Sequence, residues 1–195
     1  MTLNAKLDRA VKCLFIEDVV LKSIDARLND EVRPGINLFP NDRVSIQMRG
    51  PTCVAIVPYK HVSDDKERVV FEVQMALRIL RGTTETLAAF TKDEIDTYVL
   101  ATIETSFFCY YEQRTPDDAP LDAESLVEFG AHNVTFQLWP YWREAVHAAC
   151  SRMCLPRIVL PTYRLKKSAE APSPASPPAQ AQLSLTPNDA PPSSN

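Results

Sequence analysis

The chain has 195 residues, of which 45% are hydrophobic, and a formal net charge of −4. This length fits one ordinary domain with an extension, and the negative charge disfavours nucleic acid as a partner. Residues 1–12 lack the apolar stretch of a signal peptide, and no apolar run is long enough to span a bilayer. We therefore expect a cytoplasmic protein that does not insert into membranes.

Alternating apolar and polar residues predict β-strands through the first part of the chain. Four segments show this alternation, 13–28, 42–48, 68–80 and 97–111, and 52–58 is a short apolar run that is also interpreted as a strand. The apolar face predicted for the first segment carries Leu14, Ile16, Asp18, Val20, Lys22, Ile24, Ala26 and Leu28. One apolar and one wetter face per strand are typical of an antiparallel sheet.

Two helices are predicted after the strands. Asp122 is a candidate N-cap of a short helix that Gly130 ends, and Asn133 is a candidate N-cap of a longer helix reaching about Cys154. Pro140 predicts a kink or a helix start within that span. The apolar stripe of the longer helix comprises Phe136, Trp139, Val146, Ala149, Cys150 and Met153. Strands followed by helices indicate an α+β fold with an antiparallel sheet.

The composition changes after Leu165. Residues 166–195 consist mainly of Ser, Ala, Pro, Gln and Asn, which predicts a disordered tail behind a domain of residues 1–165. Leu183 and Leu185 are the large apolar residues of this tail. The tail is interpreted either as a solubilising extension or as the carrier of a short docking motif around these leucines.

The sequence carries no recognisable catalytic, metal or cofactor motif. The four glycines lack phosphate-loop spacing, and the five cysteines form no CxxC pair. Cys150 and Cys154 lie four residues apart, but no second pair completes a zinc site, so reduced core cysteines are preferred. His147 and Cys150 could form a base and nucleophile, although a helix surface is the favoured interpretation. We therefore expect no enzyme, no catalytic residues and no cofactor.

The segment 138–161 has a distinctive pattern. It contains Leu138, Trp139, Pro140, Tyr141, Arg143, Glu144, Arg152, Pro156, Leu160 and Pro161. This run resembles the signature of the SecB export chaperones, in which L-F-P-Y-x-R-E opens a long helix and P-x-x-x-L-x-P follows it. The resemblance spans residues 10–163, and its specific part is 138–161.

The resemblance implies a four-stranded antiparallel sheet packed with a long C-terminal helix. It also implies a homotetramer, built as a dimer of dimers, that holds unfolded or nascent polypeptides without ATP. The groove that binds them would be lined by the crossover after the first strand and by the next strand, through Leu38, Phe39, Val44, Ile46 and Met48. The alternative interpretation is that these five residues belong to the ordinary hydrophobic core. The signature residues would serve the fold and the assembly.

Two departures bear on a role in export. Ser23 and Arg27 stand where the family has two acids that dock the SecA motor, and a second helix after Pro161 is missing or very short. The alternative to an export chaperone is a dedicated SecB-like adaptor or chaperone for one partner, such as an antitoxin, without SecA docking.

Overall fold

The computed structural model describes residues 3–60, 62–64, 66–115 and 120–162. Its elements are α1 (Leu3–Cys13), β1 (Leu14–Leu28), β2 (Val44–Lys60), β3 (Glu67–Arg81), α2 (Thr84–Leu87), α3 (Lys92–Asp96), β4 (Val99–Gln113), α4 (Ala123–Phe129) and α5 (Thr135–Arg152). The predicted tail, residues 166–195, lies outside the described residues.

The four strands form one antiparallel sheet in the order β1-β4-β3-β2. The predicted α+β class is therefore confirmed. The predicted strands 42–48 and 52–58 are parts of the single strand β2, which corrects the prediction of two. Gly50 and Pro51 lie at a register shift between Arg49 and Thr52. The two residues produce an irregularity within a continuing strand.

The apolar face of β1 differs from the predicted one because the strand contains two register shifts. They fall between Ile16 and Asp18 and between Leu21 and Ser23, so Glu17 and Lys22 are extra residues. Residues paired directly across an antiparallel ladder share a face. The face shared with the buried side of β4 therefore carries Leu14, Ile16, Val19, Leu21, Ile24, Ala26 and Leu28. Asp18, Val20 and Lys22 do not belong to it.

The helical region is continuous where a break was predicted. Asp122 caps α4 as predicted, since its Oδ1 accepts a hydrogen bond from Ser125 N at 2.6 Å. Gly130 does not end the helix, because a π-helical turn over Gly130–Val134 joins α4 to α5. Asn133 therefore lies inside the helical run and is not a cap. A Cβ on Gly130 would lie 3.2 Å from the Phe71 ring, so this glycine serves close packing.

Aromatic side chains form the centre of the core between the sheet and the helices. The Phe71 ring lies 5.4 Å from that of Tyr111, which lies 5.1 Å from that of Phe129. Trp142 of α5 is fully buried, although the predicted stripe omitted it. Phe136, a predicted member of that stripe, is 51% exposed, and the prediction is wrong there. Pro140 lies within α5 and does not start it.

Three helices were not predicted from the sequence. Helix α1 contacts α4, and Lys6 pairs with Glu124 across that contact. Helices α2 and α3 each begin with a capping box, and the one at Thr91 and Glu94 has the sequence pattern that could have revealed it. Within the described part of the chain, no helix is both long and apolar enough to cross a membrane.

Candidate functional site

The crossover between β1 and β2 is held in a defined conformation by hydrogen bonds. The Asn37 side chain accepts from Arg33 N and donates to Glu31 O, each at 2.7 Å. Arg81 Nη2 donates to Asn37 O at 2.7 Å, which ties the crossover to the end of β3. Gly35 has φ +80°, a conformation that suits glycine.

The structure places the five residues of the predicted groove in different environments. Leu38 is fully buried and belongs to the core. Phe39 is 49% exposed, and a pair of hydrogen bonds with Asp42, each 3.0 Å long, fixes its backbone. Val44 and Ile46 are half-buried, and Met48 is 44% exposed. Four of the five residues are therefore accessible to a partner.

Two neighbouring cavities lie beside the crossover, and together they are named the crossover groove. One, of about 540 Å³, is lined by residues 42–46, 83–85 and 157–159. The other, of about 430 Å³, is lined by Pro40, His147, residues 150–151 and residues 155–158. Val44 and Ile46 thus face a segment that follows α5. Met48 lies further along β2, in a separate cavity of about 340 Å³ with Leu77 and Arg78.

The segment Leu155–Pro161, of which residues 155–159 line the groove, is named the C-terminal strap. It begins at a reversal after α5, where Cys154 has φ 51° and Leu155 N donates to Cys150 O at 3.0 Å. This hydrogen bond, with that from Cys154 N to Ser151 O, forms the Schellman motif that ends many helices. Leu155, Ile158 and Leu160 are buried, whereas Arg157 and Val159 are exposed. Buried and exposed residues therefore alternate from Pro156 to Leu160.

Trp139 connects the helix to the far end of the strap. Its Nε1 donates a hydrogen bond to Pro161 O at 3.0 Å, and its ring lies 4.9 Å from that of Trp142. Two residues of the sequence signature, 22 positions apart, are therefore in direct contact. The indole N–H supplies a donor that the phenylalanine of the L-F-P-Y pattern lacks.

The other signature residues divide between core and surface. Leu138 and Pro156 are buried, whereas Pro140, Tyr141, Glu144 and Arg152 are exposed. Arg143 is half-buried, and its Nε has no hydrogen-bond partner among the described residues. Within the same residues no ion pair joins Arg143, Glu144 and Arg152. Glu144 and Arg152 are therefore solvated side chains on the surface of α5.

The pair His147 and Cys150 does not have the properties of a catalytic pair. Burial raises the pKa of the Cys150 thiol to about 11, so it stays protonated at neutral pH, whereas a cysteine nucleophile acts as the thiolate. His147 is exposed. No group of three or more potential metal ligands occurs in the described ranges.

Arginine neutralises acidic residues on β1. Arg27 Nε donates to Asp25 Oδ1 at 2.7 Å, and Arg68 bonds both Glu17 and Asp64 at 2.8 Å. The hydrogen bonds that Arg68 donates to Asp64 and Glu17 raise the pKa of its guanidinium. The charges of this strand are therefore largely committed to contacts within the chain.

Comparison with known proteins found a likeness among solved structures. Neither the protein-family models nor the curated proteins gave a match. A solved structure of the SecB-like chaperone Rv1957 from Mycobacterium tuberculosis, in complex with a ChAD peptide from the HigA1 antitoxin Rv1956, is similar at a TM-score of 0.58. The match covers 84% of this chain and 99% of that one, at 20% sequence identity.

The chain has the SecB-like fold. The four-stranded antiparallel sheet and the long helical region, which the signature at Leu138–Pro161 implied, are thereby confirmed.

Proposed function

We propose that the chain is a SecB-like chaperone that holds unfolded or nascent polypeptides without ATP and without a cofactor. The observation that carries this proposal is a set of exposed apolar side chains on the crossover and on β2. Ile36 is 76% exposed, and Phe39 and Met48 are about half exposed at 49% and 44%. Phenyl and thioether side chains adapt to varied partners, which suits a groove that accepts many sequences.

The likeness to a chaperone solved with a bound peptide supports the same function. Burying apolar side chains of a client against this groove would yield about 25 cal/mol per Å² of area removed from water. Part of this gain is offset by the ordering of the client, so we expect moderate affinity for single segments and tighter holding of long chains.

Suppression of aggregation tests the proposal directly. A chemically denatured model protein is diluted into buffer with or without the chain, in the absence of ATP, and light scattering is followed. We expect suppression at stoichiometric amounts of the wild type and weaker suppression by Phe39→Ala. The matched control is Phe136→Ala, since Phe136 is equally exposed, at 51%, but lies on α5. Scattering that the folded wild type leaves unchanged would contradict the proposal.

We further propose that the chain assembles as a homotetramer, a dimer of dimers. Ile16, Leu21 and Ile24 support self-association because they are 40–42% exposed on an edge strand, on the face that elsewhere forms the core. Light scattering coupled to size exclusion should give four times the chain mass, and Leu21→Glu should reduce it. A monomeric wild type would contradict the assembly.

A dedicated adaptor or chaperone for one partner, such as an antitoxin, is the second candidate function. The observation that favours it is the contact between Arg27 and Asp25, which leaves little free acidic surface on β1 beside Ser23. The proposed site of action is the cytoplasm. Pull-downs with several denatured proteins and with the SecA motor separate the candidates, since binding to many clients and to SecA would favour an export chaperone.

A further inference from the structure

We propose that Trp139 is a positioning residue that latches the C-terminal strap and thereby controls how tightly the crossover groove closes on a polypeptide. This inference rests on the proposed function, because it concerns the same groove. Arg157, Ile158 and Val159 form one wall of that groove, and the strap that contains them ends at the hydrogen bond between Trp139 and Pro161.

The strap is held at its two ends in different ways. Its first end is fixed to α5 by the Schellman turn at Cys154. Its far end is fixed by a side chain, since Trp139 Nε1 donates to Pro161 O at 3.0 Å. A side-chain latch can be removed by mutation without changing the backbone of the strap, whereas the turn is intrinsic to the chain.

The two tryptophans of α5 provide a matched pair of variants. Both are buried, at 6% exposure for Trp139 and 0% for Trp142, and their rings are neighbours. Trp142 Nε1, however, is buried without a hydrogen-bond partner among the described residues. Trp139→Phe and Trp142→Phe therefore remove similar volumes, but only Trp139→Phe removes the latch.

The first readout is tryptic cleavage after Arg157, followed by mass spectrometry, because cleavage requires the strap to open locally. Loss of one hydrogen bond, about 1 kcal/mol, should raise the open fraction and the cleavage rate about fivefold in Trp139→Phe. Trp142→Phe should be cleaved at the wild-type rate. Equal cleavage rates in the two variants would overturn the latch.

The second readout is the release of a client mimic, a fluorescein-labelled apolar peptide of about twenty residues. Its dissociation should be about fivefold faster from Trp139→Phe than from wild type or Trp142→Phe. If the peptide dissociated at the same rate from the wild type and both variants, while Trp139→Phe was cleaved faster, the latch would exist but would not control how tightly the groove holds the peptide. A wild type that binds no peptide would refute the proposed function, and the cleavage rates would still report on the latch.

Tryptophan fluorescence keeps the inference testable if Trp139→Phe fails to fold. In Trp142→Phe, Trp139 is the remaining tryptophan of the chain. Closure of the strap on a bound peptide should shield this indole and reduce the quenching of its fluorescence by acrylamide. Quenching that saturating peptide leaves unchanged would contradict a strap that closes on its client.

Discussion

Leu38 and Phe39 are adjacent in the crossover but are expected to respond to mutation in opposite ways. Leu38 is fully buried, whereas Phe39 is 49% exposed next to the crossover groove. Leu38→Ala removes three buried carbon groups, worth about 2.4 kcal/mol at about 0.8 kcal/mol each. The cavity left behind brings the total loss of unfolding free energy to about 3–5 kcal/mol.

The assay is urea unfolding of both variants, paired with aggregation suppression measured at a temperature where both are folded. A loss of 3–5 kcal/mol corresponds to a fall in Tm of roughly 10 °C for a domain of this size. Phe39→Ala should change the unfolding free energy by less than about 0.5 kcal/mol, as exposed positions usually do. It should instead weaken suppression of aggregation.

Ile36→Ala supplies the control for exposed apolar residues of the same crossover, since Ile36 is 76% exposed. Its stability should equal that of the wild type. If Leu38→Ala cost less than about 1 kcal/mol and lowered client binding as Phe39→Ala does, the packing of the crossover described above would be wrong.

Three further variants test local features of the fold. Gly130→Ala should lower stability by about 1 kcal/mol in urea unfolding despite the better helix propensity of Ala, because its Cβ would lie 3.2 Å from the Phe71 ring. Cys154→Gly should raise the free energy of unfolding by about 0.5–1 kcal/mol, and with it the Tm, because the backbone angle φ of 51° at this position suits glycine. The salt bridges of Glu112 with two cations lower its pKa from 4.5 to about 2. Its stabilisation is therefore complete above about pH 4.5 and disappears as the pH falls through 2, so the stability difference between wild type and Glu112→Gln should shrink over that interval.

The parts of the fold that the sequence predicted are those with strong local signals. The strands over 68–80 and 97–111 were located within two residues at each end, because both alternate regularly and pair on both sides in the sheet. The cap at Asp122 follows from the side-chain chemistry of helix starts. The continuity through Gly130 could not be predicted, because it depends on the Phe71 ring, which is distant in sequence.

The candidate site was predicted less completely than the fold. The resemblance identified the crossover and the signature segment, and four of its five groove residues are accessible. The buried position of Leu38 agrees with the alternative of ordinary core, which alternation could not decide because burial in a crossover depends on what packs beneath it. The contact between Trp139 and Pro161 was also not predicted, since a reversal at Cys154 must first bring the strap back along α5.

The two register shifts of strand β1 determine which of its side chains lie on the apolar face and which on the charged face. Strict alternation places Asp18 and Lys22 among the apolar residues, whereas the two register shifts remove them from that face. Lys22 instead contacts Glu72 at 2.7 Å and lies over the Phe108 ring at 4.9 Å. Each shift therefore places charge on one face and leaves a continuous apolar row on the other. Because β1 is an edge strand, part of that row remains exposed, and burial of it against a second copy would explain why it is apolar.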